Sequence, residues 1–235
     1  MILHTTAALL LGCVTFLHSA GCDVQPDDCM LQIIYDRAVI DAVVAEEAEI
    51  VSDLVPIVTS NTDLRWNDGR VLVVTFTGYP ESYPEGATIT TWWGDTWVTV
   101  VPELKRFFHC APVPAGAETL RVEQLLGMPA GTGNRWFAEL WVLPEDLFRP
   151  CPDSEITDTV CVLDLPDNAT DEHSDWYNSQ ILQSYFEDQT SPWTRLGYTY
   201  DWGCPVNETG LSEFVIRPDS DVVVESCAWD TDYVN

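Results

Sequence analysis

The chain has 235 residues, 46% of them apolar, and sets 38 acidic side chains against 10 basic ones for a formal charge of −28. That length and apolar content suffice for one domain with a buried core and exclude a chain disordered by composition. The charge argues against nucleic acid as a partner and against anionic lipid head groups, because both carry the same sign.

The first 21 residues, MILHTTAALLLGCVTFLHSAG, hold an apolar run from Ala7 to Leu17 followed by small residues at Ser19, Ala20 and Gly21. The run is shorter than the roughly 20 residues a membrane span needs, and it suits the core of an export signal over 1–21, although no Lys or Arg precedes it. The string SAGC, Ser19 to Cys22, resembles the bacterial lipobox, with Ser where a Leu-like residue is usual. That resemblance implies cleavage before Cys22, lipidation of its thiol and contact with a membrane through the anchor. Lipidation at Cys13, or cleavage near Ala20 with release as a secreted protein, are the alternatives. Thiol parity favours Cys22, since removal of 1–21 and acylation there leave six of the eight cysteines, an even set for an oxidising compartment. Residues 22–30 are polar and proline-containing, as a tether should be, and 31–235 read as a single domain. The expected location is extracytoplasmic, on the outer surface of a bacterial membrane or in the periplasm.

Tyr35 to Val51 is rich in Ala and Glu, with Ala38, Ala42, Ala45 and Ile50 near one face at helical spacing, and predicts a helix. Asp68-Gly69 predicts a hairpin turn feeding a buried strand over Val71 to Thr77. Ala87 to Trp93 and Thr96 to Val101 read as two strands joined by a Gly94-Asp95 turn, with Trp92 and Trp93 facing opposite ways. Pro102 suits the first turn of a short helix, PELKRFF, and ETLRVEQLLG reads as another, with Leu120, Leu125 and Leu126 inward. NRWFAELWVLP is a strand. Asp171 can cap a helix over Glu172 to Phe186 with Trp176, Ile181, Leu182 and Tyr185 on one stripe, and Leu211 to Arg217 and Asp221 to Glu225 close the chain as strands. The sum is an α+β fold: a mainly antiparallel sheet with several short helices, stabilised by disulfides.

Cys151 and Cys161 enclose nine residues, and a bridge between them would hold Asp153, Glu155 and Asp158 in place. Cys29, Cys110, Cys204 and Cys227 allow three pairings that spacing does not rank. No CxxC pair, HExxH, Walker loop, GxGxxG or GxSxG is present, so neither a metal nor a cofactor is assigned. Acids and tryptophans remain as the chemistry on offer. Flat rings beside carboxylates are how proteins hold sugars, although rings also simply fill cores. PWTRLGYTYDWGCP, Pro192 to Pro205, concentrates both features. If extended, it sets Thr194, Leu196, Tyr198, Tyr200 and Trp202 on one face and Arg195, Thr199 and Asp201 on the other, with Gly197 marking a bulge or close approach. One reading makes it a pocket, with Arg149 and Arg195 orienting a ligand against Tyr198, Tyr200 and Trp202. The other makes it core packing with Arg195 paired to Asp201.

The strings WVTVVPELKRF, LRVEQLLG, ELWVLPEDLFRPCPDSEITD, PWTRLGYTYDWG and GLSEFVIRP, between about Asp63 and Val224, resemble a family of exported bacterial proteins of unassigned function. The resemblance implies export and brings no catalytic residues with it. The functional expectation is a lipid-anchored binding or structural protein of the bacterial cell envelope, with a glycan or other envelope component as a possible partner. The alternatives are a hydrolase of glycan or another envelope polymer, with Asp153, Glu155 and Asp201 as acid–base groups, and a calcium-dependent adhesin built on the acidic loops.

Overall fold

A computed structural model describes residues 28–204 and 206–235. The export signal and Cys22 lie outside them, as does most of the tether. Asp68 and Gly69 both adopt left-handed backbone, φ 47° and 77°, and close the hairpin between β1 (Trp66–Asn67) and β2 (Arg70–Thr77). The mirror-image turn matches the natural twist of paired strands, so Asp-Gly marks the site in sequence. β2 becomes a central strand because seven of its residues are buried and β-branched or apolar side chains predominate. It pairs along its length, from Val71 opposite Val142 to Thr77 opposite Trp136, with β5 (Trp136–Val142). Adding β3 (Thr88–Thr90), β4 (Thr96–Val100), β6 (Leu147–Phe148), β7 (Tyr198–Tyr200), β8 (Thr209–Ile216) and β9 (Asp221–Trp229) completes an antiparallel sheet. Its order is β3-β9-β5-β2-β4-β8-β6, with β1 on β2 and β7 on β8. The α+β reading is therefore what the chain adopts.

Strand alternation splits the core in two. Val71, Val73, Val98, Val100, Leu140 and Phe214 face one way and meet Ile57, Leu64 and Ile156 from covering loops. Leu72, Val74, Phe76, Phe137 and Trp141 face the other way. They pack on α2 (Val101–Cys110) through Leu104 and Phe108, and on α3 (Glu118–Leu125) through Val122 and Leu125. Tyr233 of α5 (Asp230–Val234) stacks tilted on Phe137 at 4.6 Å and donates to Glu139 at 2.8 Å. A third cluster joins α1 (Asp28–Ala42) and α4 (Asp171–Phe186) through Tyr35, Val39, Tyr177, Tyr185 and Trp193. Among the described residues no helix is long and apolar enough to cross a membrane.

Three sequence-based expectations are corrected here. The first helix, Asp28–Ala42, begins and ends earlier than Tyr35–Val51, and at its end Arg195 Nη2 donates to the carbonyls of Val43 at 2.7 Å and Ala42 at 3.4 Å. A cation there satisfies the orphan carbonyls of the helix terminus. In α4 the buried side chains are His173, Tyr177, Ser184 and Tyr185, while Leu182 is exposed, so the stripe is rotated from the predicted one. The predicted hairpin between Ala87–Trp93 and Thr96–Val101 does not form. β3 pairs with β9, β4 with β2 and β8. Buried Thr91 instead exchanges main-chain bonds with Ser220 and Asp219, and its hydroxyl donates to Arg217 O at 2.9 Å. Those bonds commit the chain to the β8–β9 turn before a hairpin can close.

Cys151 and Cys161 form the expected bridge, and both are buried. Cys29, Cys110, Cys204 and Cys227 carry free thiols on four different parts of the fold, so the even set foreseen from parity does not pair. Cross-linking stabilises by restricting the unfolded chain, and the Cys151–Cys161 loop is short. Replacing both cysteines by Ser should lower unfolding free energy by about 2–3 kcal/mol. Denaturant titration of the variant beside the oxidised native protein measures it.

Candidate ligand-binding cavity

The ladder between β2 and β4 consists of Val73 opposite Val100 and Val74 opposite Thr99. Beyond that point the strands diverge. β2 continues to Thr77 on β5, and β4 runs back to Thr96 on β8. Between the separated ends lies a cavity of about 450 Å³, within the range of small-molecule sites. β2 contributes Thr75, Phe76 and Thr77 to its lining, and β4 contributes Thr96 to Thr99. Trp193, Tyr198 and Tyr200 close one side, and Tyr79, Tyr83 and Trp93 stand at another. Trp97 lies edge-on to Trp193, 6.3 Å between ring centroids, and tilted on Trp176 at 6.2 Å. These contacts draw β4 toward α4 and away from β2.

Two lining side chains that face each other across β4 and β8 make no side-chain hydrogen bond within the protein. Glu213 of β8 sits opposite Thr99 of β4, so the two project from the same face of the sheet. Thr99 is 3% exposed and its Oγ1 is buried without a hydrogen bond. Glu213 is surrounded by protein yet keeps some accessible area, because the cavity reaches it. Among the described residues nothing bonds to its carboxyl. Removal from water without a compensating cation pushes its pKa up to about 8. At neutral pH the group is therefore mostly a carboxylic acid, with one O–H to donate and oxygen lone pairs to accept. Asp95 also lines the cavity, with Oδ2 accepting from Trp176 Nε1 at 2.6 Å. No lining side chain among the described residues is cationic, so an anionic ligand finds no counter-charge there.

The residues singled out from sequence fall in three places. Tyr198 and Tyr200 are among the lining residues, and their hydroxyls bond to Glu49 O at 3.0 Å and Asp41 Oδ2 at 2.8 Å, with the Tyr198 side chain packed against Leu54, Leu196 and the Cys151–Cys161 bridge. The remaining candidates lie elsewhere. Asp201 does not pair with Arg195. It is gripped by both Nη atoms of Arg121, at 2.8 and 2.6 Å, and Trp202 is core, donating Nε1 to Met128 O. Arg195 adopts φ 60° beside Gly197 at φ 77°, so the stretch is extended only from Tyr198 to Tyr200. The close approach marked by Gly197 is present: a Cβ there would lie 2.6 Å from Cys161 Sγ and 2.8 Å from Arg149 Cδ.

Arg149 has no exposed surface. It donates Nε to Glu155 O at 3.1 Å and Nη2 to Val55 O at 3.2 Å and Asp158 O at 3.0 Å, with its guanidinium over the Phe214 ring. Burial lowers its pKa to about 10, partly offset by Asp158, Glu103, Asp153 and Glu155. The bridged loop does gather Asp153, Glu155 and Asp158, with one carboxylate oxygen from each within 4.8 Å of the others. Those three oxygens are the set that would take a divalent cation. Arg149 already supplies positive charge beside them. None of the trio lines the cavity.

Comparison with known proteins finds no matching family model, no significantly similar curated protein and no significantly similar solved structure. The cavity residues Glu213 and Thr99 escaped the sequence reading, yet GLSEFVIRP carried a signal. A single acid inside an apolar strand, between Leu211 and Phe214–Ile216, is out of place unless the fold needs it.

Glu213 and the Arg121–Asp201 pair each yield a stability test. The unfolded chain loses the Glu213 proton near the ordinary carboxylate value of 4.5, whereas the folded chain holds it to about pH 8. Its contribution is fully present below pH 4.5 and is lost as pH rises toward 8, by up to about 1.4 kcal/mol per pH unit. Glu213→Gln should therefore flatten the fall in melting temperature between pH 5 and about 8, as read by a pH series of thermal melts. Arg121→Ala leaves the buried Asp201 carboxylate uncompensated and should cost about 3 kcal/mol. Arg121→Ala with Asp201→Asn should recover part of that loss in denaturant titrations.

Proposed function

We propose that this chain is an extracytoplasmic binding protein of the bacterial cell envelope, tethered through a lipidated Cys22, whose cavity holds a neutral ring-bearing ligand of the saccharide class. The observation that carries this reading is the uncommitted, protonated Glu213 carboxyl in a cavity walled by aromatic rings. Rings stack on the C–H faces of a sugar, while the Glu213 carboxyl exchanges hydrogen bonds with its hydroxyls. A buried polar group without a partner costs about 1–3 kcal/mol, and a ligand hydroxyl recovers that cost. The absence of a lining cation weighs against phosphorylated, sulfated or uronic ligands. The bridge between Cys151 and Cys161, the apolar leader and the resemblance to exported bacterial proteins support the location.

One observation favours a hydrolase as second reading. A carboxylic acid kept neutral by burial has the form of a general acid, and Asp95 lines the same cavity as a second carboxyl. That assigns the acid–base role to Glu213 and Asp95 in place of Asp153, Glu155 and Asp201.

Titrating the purified protein with neutral mono- and disaccharides should change its tryptophan emission saturably, because Trp93, Trp97 and Trp193 line the cavity. Glu213→Leu should weaken binding about tenfold, the equivalent of one lost hydrogen bond of about 1.4 kcal/mol. A flat titration across neutral sugars removes the saccharide reading. Release of new reducing ends from an oligosaccharide, abolished by Glu213→Gln, would promote the hydrolase.

A further inference from the structure

The mouth of the cavity continues into an exposed aromatic surface. Tyr79 and Trp93 both line the cavity, yet they are 69% and 37% exposed. Trp92, which does not line it, is 76% exposed. Trp93 joins inside to outside. It meets Tyr83 edge-on at 5.7 Å and Trp92 edge-on at 5.8 Å, so the rings step outward from the cavity without a gap. Isolated exposed aromatics are ordinary, but a contiguous set beside a cavity marks a surface that is covered in use.

This surface is also held still. Thr91, immediately before Trp92, is fully buried and bonded through its main chain and hydroxyl to Arg217, Asp219 and Ser220. Trp93 Nε1 donates to Thr96 Oγ1 at 3.0 Å, and Gly94 takes φ 113° to turn the chain directly after it. The large rings therefore stand on a fixed turn, which lowers the ordering cost of binding to them.

We propose that the cavity takes the terminal unit of a linear neutral oligosaccharide and that the next unit stacks on Trp92 outside the mouth. The proposal rests on the saccharide reading of the cavity and extends it from a single sugar to a chain. The spacing from Trp93 to Trp92 is on the scale of one pyranose ring, and the rings offer flat apolar area without charge. Continuity between the platform and the uncommitted Glu213 selects a polyhydroxylated chain over a purely apolar partner. A second protein copy lying flat on Trp92 would leave that carboxyl unused.

The test is isothermal titration with cellulose-, maltose-, chitin- and mannan-derived oligomers of one to four units. In the native protein at least one series should gain about tenfold in affinity from one unit to three. Trp92→Ala should abolish that gain and leave the monosaccharide constant unchanged, and Trp92→Tyr should restore part of it. Glu213→Leu should weaken every length alike. An affinity gain with length that survives Trp92→Ala overturns the platform while leaving the cavity reading intact. So does concentration-dependent dimerisation of the native protein that Trp92→Ala abolishes. No binding at any length overturns both.

Discussion

The two-rung ladder between β2 and β4 is the constraint from which the cavity follows. A sheet normally closes every main-chain group it can, so a break between two central strands needs a force on each side. β2 is held by β5 over its whole length, and β4 is held by β8 from Thr96 opposite Ile216 to Thr99 opposite Glu213. Each strand is saturated on its outer edge and has no freedom to swing back. Trp97 adds the lateral pull through Trp176 of α4 and Trp193 of the loop that follows it. Aromatic contacts of this kind contribute about 0.5–1.5 kcal/mol each beyond their buried area, comparable to the ladder bonds forgone.

A second constraint shapes the wall next to the cavity. Arg149, the Cys151–Cys161 bridge and Gly197 occupy one small volume, where the glycine allows the chain to pass against both sulfur and guanidinium. The passage delivers Tyr198 and Tyr200 to β8 at the edge of the cavity. Arg149 acts by gathering carbonyls of three separate loop residues, so its loss would release the loop as a unit. A guanidinium suits this task because its planar fork serves several acceptors at once.

The buried acids separate structural from functional roles. Asp201, Glu139 and Glu123 are satisfied: Arg121 grips the first, Lys105 and Tyr233 meet the second, and the N–H groups of Gly131 and Thr132 cap the third. Glu213 has none of this. A fold built only for stability would place an apolar residue there, between the side chains of Leu211 and Val215 on the same face. Retaining an unpaired carboxyl beside an unpaired hydroxyl costs stability, and such costs gather where a protein meets its ligand.

By itself the sequence determined the class of fold, the Asp68-Gly69 hairpin, the short-range Cys151–Cys161 bridge, most strand centres and the helix after Pro102. Each follows from local chemistry: a turn that needs left-handed backbone, thiols ten residues apart, alternation, and a proline ring that suits a helix start. It also pointed to Tyr198 and Tyr200, since aromatic density survives any rearrangement of neighbours. Tertiary structure alone decided the partners. Arg195 caps α1 and Arg121 claims Asp201 across long separations that no spacing rule encodes. Cys29, Cys110, Cys204 and Cys227 stay unbridged because the elements carrying them are placed by sheet order, which thiol parity does not constrain. The cavity is legible least of all, since it arises from the divergence of two strands, and divergence is a property of how neighbours pull and not of either strand's own residues.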